Sequence, residues 1–288
     1  MDQTLLPILY ATFAALCFGG QVVVTMRSFV HVDPQTSSMI SIGTSVVIFW
    51  SLSPFLLKTE YLRNPGMWVF LVNGLIHPLF SIYMAFEATK RMGPTVAATI
   101  SATAPLFATA GAVLFLSEHI TIFLLLGTVG TVVGVMVLSW RDEGRREWPL
   151  WALILPLGAA VIRGSNHILG KFGLEMLPSP YVAGLVSFTV SFIGSVLIYR
   201  LRIGSLPFFL PLKGLMWSGC AGALIAMGIL NMYSALHCGR VVVVSPIIAA
   251  FPLFTFAFSL LFHQERFRLR MLVGVGLVMG GVIWISVQ

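Results

Sequence analysis

An arginine at position 163 interrupts an otherwise apolar stretch, and Asn166 and His167 follow it three and four residues later. On an α-helix these spacings bring all three side chains to one face. A guanidinium can bind a carboxylate or phosphate through two parallel hydrogen bonds, and an imidazole can carry a proton near neutral pH. The three residues predict a site for an anionic group. The alternative is an arginine that extends to a polar surface or donates to backbone carbonyls of neighbouring helices.

A second polar face is spaced by four residues in an earlier apolar stretch, at Asn73, His77 and Ser81. His77 is the best remaining candidate for a proton carrier, although a packing histidine is the simpler interpretation. For the amides, helix-to-helix hydrogen bonding is the alternative to contact with a ligand. The complete set of candidate substrate-binding residues is Gln21, Asn73, His77, Ser81, Thr99, Thr103, Arg163, Asn166, His167, Asn231 and Ser245.

Two prolines are candidates for a mechanical role. Pro105 and Pro252 each lie within an apolar stretch, and a proline removes a backbone donor and opens a helix near the residue four before it. The carbonyls near Ser101 and Ile248 would then be free to bend a gate or contact a solute. A static kink that aids packing is the alternative.

The composition excludes a soluble protein. Of 288 residues, 58% are hydrophobic and 9% are charged, and the mean hydropathy is +0.95; soluble domains carry about 25% charged residues. The net charge of +7 comes from basic residues scattered in short loops, which argues for membrane orientation signals and against nucleic-acid binding. The three cysteines have no metal-binding or disulfide spacing. We therefore expect no metal, no cofactor and no catalytic residues, and a first apolar stretch that is a retained span.

Ten apolar stretches are long enough to cross a bilayer, which takes roughly 20 residues. They are Leu5–Met26, Thr36–Leu57, Met67–Ala88, Pro94–Leu116, Ile122–Ser139, Leu150–Phe172, Tyr181–Tyr199, Leu215–His237, Val241–Phe262 and Leu269–Val287. The polar loop 141–147 divides them into five and five. The chain is thus predicted to be an all-α integral membrane protein of ten transmembrane helices, with repeats at 1–140 and 148–288.

The two halves repeat each other in sequence. Pro105 recurs as Pro252 and Glu118 as Glu265, at a constant offset of 147 residues, and Gly127, Gly134 and Ser139 recur at the same offset. Proline, glutamate and glycine in one register indicate a duplication. A repeat with an odd number of spans must insert its second copy upside down, so we predict two inverted five-helix repeats around a central cavity.

The basic residues of the loops predict an orientation in the membrane. Twelve basic residues lie in loops after odd-numbered spans and four after even-numbered ones, which predicts cytoplasmic odd loops and both termini outside. The twelve include Arg141, Arg145 and Arg146 of the loop 141–147.

Several motifs resemble a known family. Gly93-Pro94, then Ser101-Ala102 and Pro105-Leu106-Phe107, then Phe115 to Glu118, resemble the EamA-type repeat of the drug/metabolite transporter superfamily, and Tyr233 to Leu236 with Gln264 to Phe267 resemble its second copy. The resemblance implies ten-helix carriers, commonly exporters of amino acids and other metabolites, with both termini cytoplasmic. It also implies that spans one, three, four, six, eight and nine enclose the cavity. Spans two and seven would then face lipid or act as gates.

Two further features have structural interpretations. Glu118 and Glu265 end the fourth and ninth spans, where a carboxylate would cap the following helix. The glycines of the fifth and tenth spans permit close helix contact, within the bundle or, as the alternative, in a homodimer. They are Gly127, Gly130, Gly134, Gly274, Gly276, Gly280 and Gly281.

Together these features predict a plasma (inner) membrane transporter that works by alternating access, not an enzyme. Its substrate would be a small organic metabolite, an amino acid or related zwitterion or anion, and export is the favoured direction. An importer or exchanger of another solute or drug, a receptor, and a membrane-embedded enzyme are the alternatives. The expected partners are the substrate and the lipid bilayer, without nucleic acid, for a monomer or a homodimer.

Overall fold

The computed structural model describes residues 5–92, 100–101, 103–139, 149–203, 210–261 and 269–286. These residues are almost entirely helical. The helices are α1 (Leu5–Ser28), α2 (Pro34–Leu56), α3 (Gly66–Ile76), α4 (Leu79–Met92), α5 (Ala104–Phe115), α6 (Ile122–Ser139), α7 (Ile154–Met176), α8 (Pro180–Ile203), α9 (Leu212–Cys238), α10 (Val241–Ala249), α11 (Phe251–Leu261) and α12 (Leu269–Ser286). Short 3-10 turns, Thr59–Arg63 and Leu150–Leu153, precede α3 and α7. No strand occurs in these ranges.

Six segments in the described part of the chain have the length and apolar character of a membrane span. They are Leu5–Ser28, Gly66–Ala85, Leu150–Met176, Pro180–Leu201, Leu212–Cys238 and Val241–Leu261. Three apolar helices, Ala104–Phe115, Ile122–Val137 and Leu272–Ile285, are shorter. Many large apolar side chains point away from the bundle, as expected for a surface in contact with lipid. The ten-span count itself stays a prediction.

Two of the expected continuous spans are broken helices. The third breaks between α3 and α4, because Pro78 cannot donate a backbone hydrogen bond and the residue before a proline is disfavoured in the helical region. His77 accordingly has an extended backbone, with φ −127° and ψ 133°. The ninth span breaks at Ala250, between α10 and α11.

The repeat register that the sequence predicts is visible in the helix bounds. Displacing α6 by 147 residues gives the bounds of α12 at both ends. The fourth and ninth spans also have equivalent turns, in which Thr103 donates to the carbonyl of Ile100 and Ala250 donates to that of Ile247. Each turn precedes a helix with a proline near its start, at Pro105 and Pro252.

The two halves also make equivalent contacts with each other, in which the first helix of each half packs on the other half. Gly19 of α1 packs so closely on α11 that a Cβ atom there would lie 2.6 Å from Phe254 Cβ. Gly164 of α7 packs on α5 in the same way, with 2.9 Å to Phe107 Cβ. Phe107 and Phe254 are equivalent in the repeat, so each half's first helix packs on the other half's fourth span. This exchange is what an approximate twofold axis produces; an axis in the membrane plane stays a prediction.

Two serines attach α2 to the first half of α9. Ser41 donates to the carbonyl of Ser218 at 2.9 Å, and Ser45 donates to that of Gly222 at 2.8 Å. Gly222 has no room for a side chain, because a Cβ atom would collide with the carbonyl of Ser41. Both hydroxyls are buried.

The equivalent pair attaches α8 to α3. Ser187 donates to the carbonyl of Phe70 at 3.1 Å, and Ser191 donates to that of Gly74 at 2.6 Å. The second and seventh spans therefore each have one packed face, and whether their other faces contact lipid or act as gates stays a prediction. Serine hydroxyls let the helices approach closely while satisfying their own hydrogen bonds, so both spans contribute to the packed interior.

Small residues bring α6 and α12 together, as the sequence predicts. Cβ atoms at Gly127, Gly134 and Gly281 would each lie 2.5–2.6 Å from atoms of the opposite helix. Gly276 and Gly280 have nothing within 4 Å, so they lie on the outer face. The inner glycines thus allow α6 and α12 to pack closely within the bundle. The choice between a monomer and a homodimer stays a prediction.

Candidate functional site

The site is built around α7, which packs against α3, α4, α5, α9 and α10. Two of the candidate amides lie at one of these interfaces. Asn73 Nδ2 donates to Asn166 Oδ1 at 2.7 Å and lies 3.0 Å from the hydroxyl of Tyr233. Tyr233 in turn lies 3.3 Å from Asn166 Oδ1. Three helices, α3, α7 and α9, thus meet at a buried polar cluster.

This Asn73–Asn166–Tyr233 cluster has an unused acceptor. Asn73 is only 1% exposed, and its Oδ1 atom has no hydrogen-bond partner among the described residues. A buried acceptor without a partner is costly, so such atoms attract a water molecule or a ligand donor. The interhelical interpretation of the amides is confirmed for Asn73 and Asn166, and it leaves one oxygen available.

His167 lies one residue beyond this cluster and connects α7 to the broken ninth span. Its Nδ1 atom is 2.9 Å from the hydroxyl of Ser245 in α10, and both residues are buried. Ser245 precedes Pro246, so this contact joins the site to a helix that ends a few residues later. The sequence predicts both residues for the site, and the structure brings them together.

Arg163 is the middle residue of the apolar segment Leu150–Met176. The close approach of Gly164 to α5 sets the depth and rotation of this part of α7. Arg163 is partly exposed, and no hydrogen bond or ion pair joins its guanidinium to any residue that the structure describes. His77 and His167 lie within electrostatic range of Arg163. Arg163 thus lies at the centre of the bundle, about one turn of α7 from His167, and its contact with an anionic substrate stays a prediction.

The remaining candidates make local contacts instead. Gln21 donates to Thr25 within α1 at 2.7 Å, and Asn231 donates to the carbonyl of Met227 within α9 at 2.8 Å. Thr103 donates to the carbonyl of Ile100, and Ser81 lies 3.4 Å from that of Pro78. Polar side chains in apolar helices commonly bond to their own backbone. These four residues do not join the polar cluster, and Thr99 lies outside the described residues.

The prolines start helices and do not kink them. Pro105 is in the first turn of α5, where the missing N–H has no intrahelical partner to lose. Pro252 is the second residue of α11. In the ninth span the expected opening near Ile248 corresponds to the interruption at Ala250, between α10 and α11, and in the fourth span Thr103 forms the turn that precedes α5. A gating role for the two prolines remains a prediction.

Glu118 caps a helix, but not the helix that follows it. Its two carboxylate oxygens accept from the backbone N–H groups of Val241 at 2.8 Å and Val242 at 3.0 Å, at the start of α10. Arg240, which precedes α10 in the second repeat, donates to the carbonyl of His119 in the first repeat. The expected capping role is confirmed with a different partner, which joins the two repeats. Glu265 lies outside the described residues.

Replacing Glu118 by glutamine should lower the thermal unfolding temperature of the purified protein. An anionic cap at a helix N-terminus is worth about 1 kcal/mol, and the amide retains the shape but loses the charge and one acceptor. Glu60→Gln is the control, because that carboxylate is exposed and pairs only with the exposed Lys58. Equal unfolding temperatures for the two variants would contradict the cap.

The structure places two residues at or near the site that were not selected from the sequence. Tyr233 is fully buried in the polar cluster, yet in the sequence it is one aromatic residue in an apolar stretch. Lys171 donates to the carbonyls of Leu236 and Gly239, each at 3.0 Å, and so closes the end of α9. The spacing of the sequence could have identified Lys171, since it follows Arg163 and His167 at intervals of four residues on the same helix face.

Cavities lie at both ends of the bundle. One of about 390 Å³ is lined by Asp33, Tyr83, Glu87 and Tyr199, among α2, α4 and α8. One of about 200 Å³ is formed by the end of α7 and His237 of α9. Because α7 and α8 are consecutive and antiparallel, these cavities open at opposite ends, with the central cluster between them.

These features define a class of protein. A multi-pass helical bundle with exchanged halves, broken helices and a central polar cluster has the architecture of a membrane transporter. A model of the EamA-like transporter family matches residues 5–140 and again 150–287, so nearly the whole chain is covered by two copies. The chain belongs to the EamA-like transporter family.

The chain is also similar to a shorter protein and to a solved structure. The uncharacterized protein MJ1333.1 of Methanocaldococcus jannaschii is 29% identical over 139 residues, which are 48% of this chain and 97% of that protein. A relative of one repeat's length fits a duplicated origin. A solved crystal structure aligns with a TM-score of 0.82 at 16% identity, over 98% of this chain and 96% of its own, which shows the shared fold.

Proposed function

We propose that this membrane transporter carries a small metabolite with a carboxylate, an amino acid or a related zwitterion or anion, by alternating access at the central site. Export across the plasma membrane is the proposed direction. The observation that carries the proposal is Arg163, a cation at the centre of a membrane-spanning helix with no anionic partner among the described residues.

Placing the cation of Arg163 at the middle of a membrane-spanning helix is energetically costly. A charge at the middle of a membrane-spanning helix costs at least ~2.5 kcal/mol and is found where it faces a cavity or a partner. The acidic residues near the bundle are at helix ends; Glu87 pairs with Arg91, and Glu118 caps α10. A substrate carboxylate would therefore supply the missing partner of Arg163. Lipophilic cations, by contrast, would meet repulsion there.

The contacts around Arg163 suit a site that must bind a substrate and then release it. The polar cluster ties α7 to α3 and α9, and His167 ties it to α10. Both α3 and α10 end at breaks in their spans, at His77 and Ala250. A broken helix can reorient its two parts with little change to its internal hydrogen bonds. Alternating access would use these breaks to open the site towards the two end cavities in turn.

Cells that overproduce the wild-type protein or the Arg163→Gln variant provide the test. Each strain is challenged with toxic concentrations of single amino acids, dicarboxylates and phosphorylated sugars. Resistance to one carboxylated compound, with faster efflux of its labelled form, is expected with the wild type alone. The compound is then tested in proteoliposomes. If no carboxylated compound is transported, or if only cations are, the proposal is wrong.

A further inference from the structure

The cavity of about 200 Å³ lies away from the central site, at the C-terminal end of α7. It is lined by Lys171, Leu174, Glu175, Pro178 and His237. Pockets for drug-sized ligands measure ~300–1,000 Å³, so this one fits a smaller solute. A water molecule takes ~30 Å³ of liquid volume, and the cavity therefore has room for roughly six waters.

Two opposite charges share this cavity without pairing. Lys171 and Glu175 are four residues apart on α7, a spacing that puts Cβ atoms about 5–6 Å apart and often produces an ion pair. No ion pair joins them in the described part of the chain, where Glu175 is exposed and makes no hydrogen bond, so its carboxylate is accessible to a ligand. The ammonium of Lys171 is instead fixed by the carbonyls of Leu236 and Gly239. Two of its three donors are used, so one remains for a ligand.

Along α7, the cavity and the central site lie about two turns apart. Arg163, His167 and Lys171 follow one another at spacings of four on α7 and share one face. Each step is about 6 Å along the helix axis, so Lys171 lies ~12 Å from the level of Arg163. A carboxylate that leaves Arg163 in this direction would pass the buried imidazole of His167 and reach the ammonium of Lys171.

We propose that this cavity is a second, outer binding site for a zwitterion, with its carboxylate on Lys171 and its ammonium on Glu175. The inference rests on the proposed function for its direction of use, since the site would hold the solute between the central site and the solvent. Its chemistry differs from that of the central site, where Asn73 Oδ1 offers an ammonium group a neutral acceptor, because the outer cavity adds the carboxylate of Glu175. The outer site therefore distinguishes an amino acid from the acid that lacks the amino group.

The test measures binding to the full-length protein purified in detergent. Arg163→Gln removes the central anion partner and leaves the outer site to be measured alone. The probes are L-leucine and 4-methylpentanoate, which differ by the ammonium group. Their dissociation constants are determined by calorimetry for Arg163→Gln, Arg163→Gln/Glu175→Gln and Arg163→Gln/Glu60→Gln. Glu60 is an exposed carboxylate outside the cavity and serves as the matched control.

The single variant is expected to bind leucine, and adding Glu175→Gln should weaken that binding by roughly tenfold, the usual size of one charge-assisted hydrogen bond. Binding of 4-methylpentanoate should change by less than about twofold, and the Glu60 control should match the single variant. Absence of leucine binding to Arg163→Gln, or equal losses for both probes, would overturn the outer site.

The failure of this inference is separable from failure of the proposed function. If proteoliposomes transport no carboxylated solute but the Glu175 effect on leucine is present, the outer site stands and the transport proposal falls. If transport depends on Arg163 and the preference for leucine is insensitive to Glu175, the outer site alone is wrong.

Discussion

Replacing Arg163 by glutamine should abolish saturable transport of a carboxylated substrate while leaving the protein folded. An ion pair or charge-assisted hydrogen bond to a carboxylate contributes roughly 1.5–3 kcal/mol, so substrate binding should weaken by about ten- to a hundredfold. The fold should tolerate the change, because no hydrogen bond or ion pair joins the guanidinium to the residues that the structure describes. Proteoliposome uptake and the thermal unfolding temperature measure the two effects separately.

Two controls sharpen this prediction. Arg163→Lys should keep part of the transport, since it retains the charge but loses the planar fork that matches a carboxylate. Arg200→Gln removes an exposed cation near the end of α8 and should transport as the wild type does. If Arg163→Gln unfolds the protein, the arginine is structural. Wild-type affinity in the folded variant would mean that the substrate's anionic end binds elsewhere.

The helical boundaries were largely predictable because apolar length and rare residues set them. The end of α6 and the end of α12 follow from one repeated register, and every described helix lies within or close to a predicted span. The breaks in the third and ninth spans were not predicted. The apolar stretches continue beyond His77 and Ala250, and only the backbone restrictions around Pro78 and Pro252 indicate where a helix must stop.

The structure brings candidate residues together where several polar residues share one helix face, and their contact with a substrate stays a prediction. Asn73 and His77 share a face, as do Arg163, Asn166 and His167, and a face of several costly groups must turn inward. A single polar residue carries no such information. Gln21 and Asn231 bond within their own helices, which depends on a rotamer that spacing does not fix.

Long-range contacts were the least predictable part. Glu118 precedes α6 in the chain but caps α10, and Lys171 closes the end of α9. The first contact joins the two repeats, and the second lies within the second repeat. Local sequence can show that a carboxylate belongs at a helix start, and it cannot show which helix start will be nearby.

Two neighbouring glycines give the sharpest test of the packing. Gly281→Ala should lower the thermal unfolding temperature by several degrees, because the new Cβ atom would lie 2.5 Å from Thr131 Oγ1 and 2.7 Å from the carbonyl oxygen of Gly127. Backbone on the opposite helix cannot move aside as a flexible side chain can, and overpacking of this kind typically costs about 1–3 kcal/mol. The contact between α6 and α12 would have to open.

Gly280→Ala is the matched control, one residue away on the same helix. Nothing lies within 4 Å of its added Cβ atom, and alanine is favoured over glycine in a helix by ~0.8–1.0 kcal/mol. Its unfolding temperature should therefore equal or exceed that of the wild type. If both variants are equally stable, α6 and α12 do not pack at the observed distance. If Gly280→Ala is the less stable of the two, the outer face of α12 is covered by a second molecule, and the homodimer becomes the better explanation of these glycines.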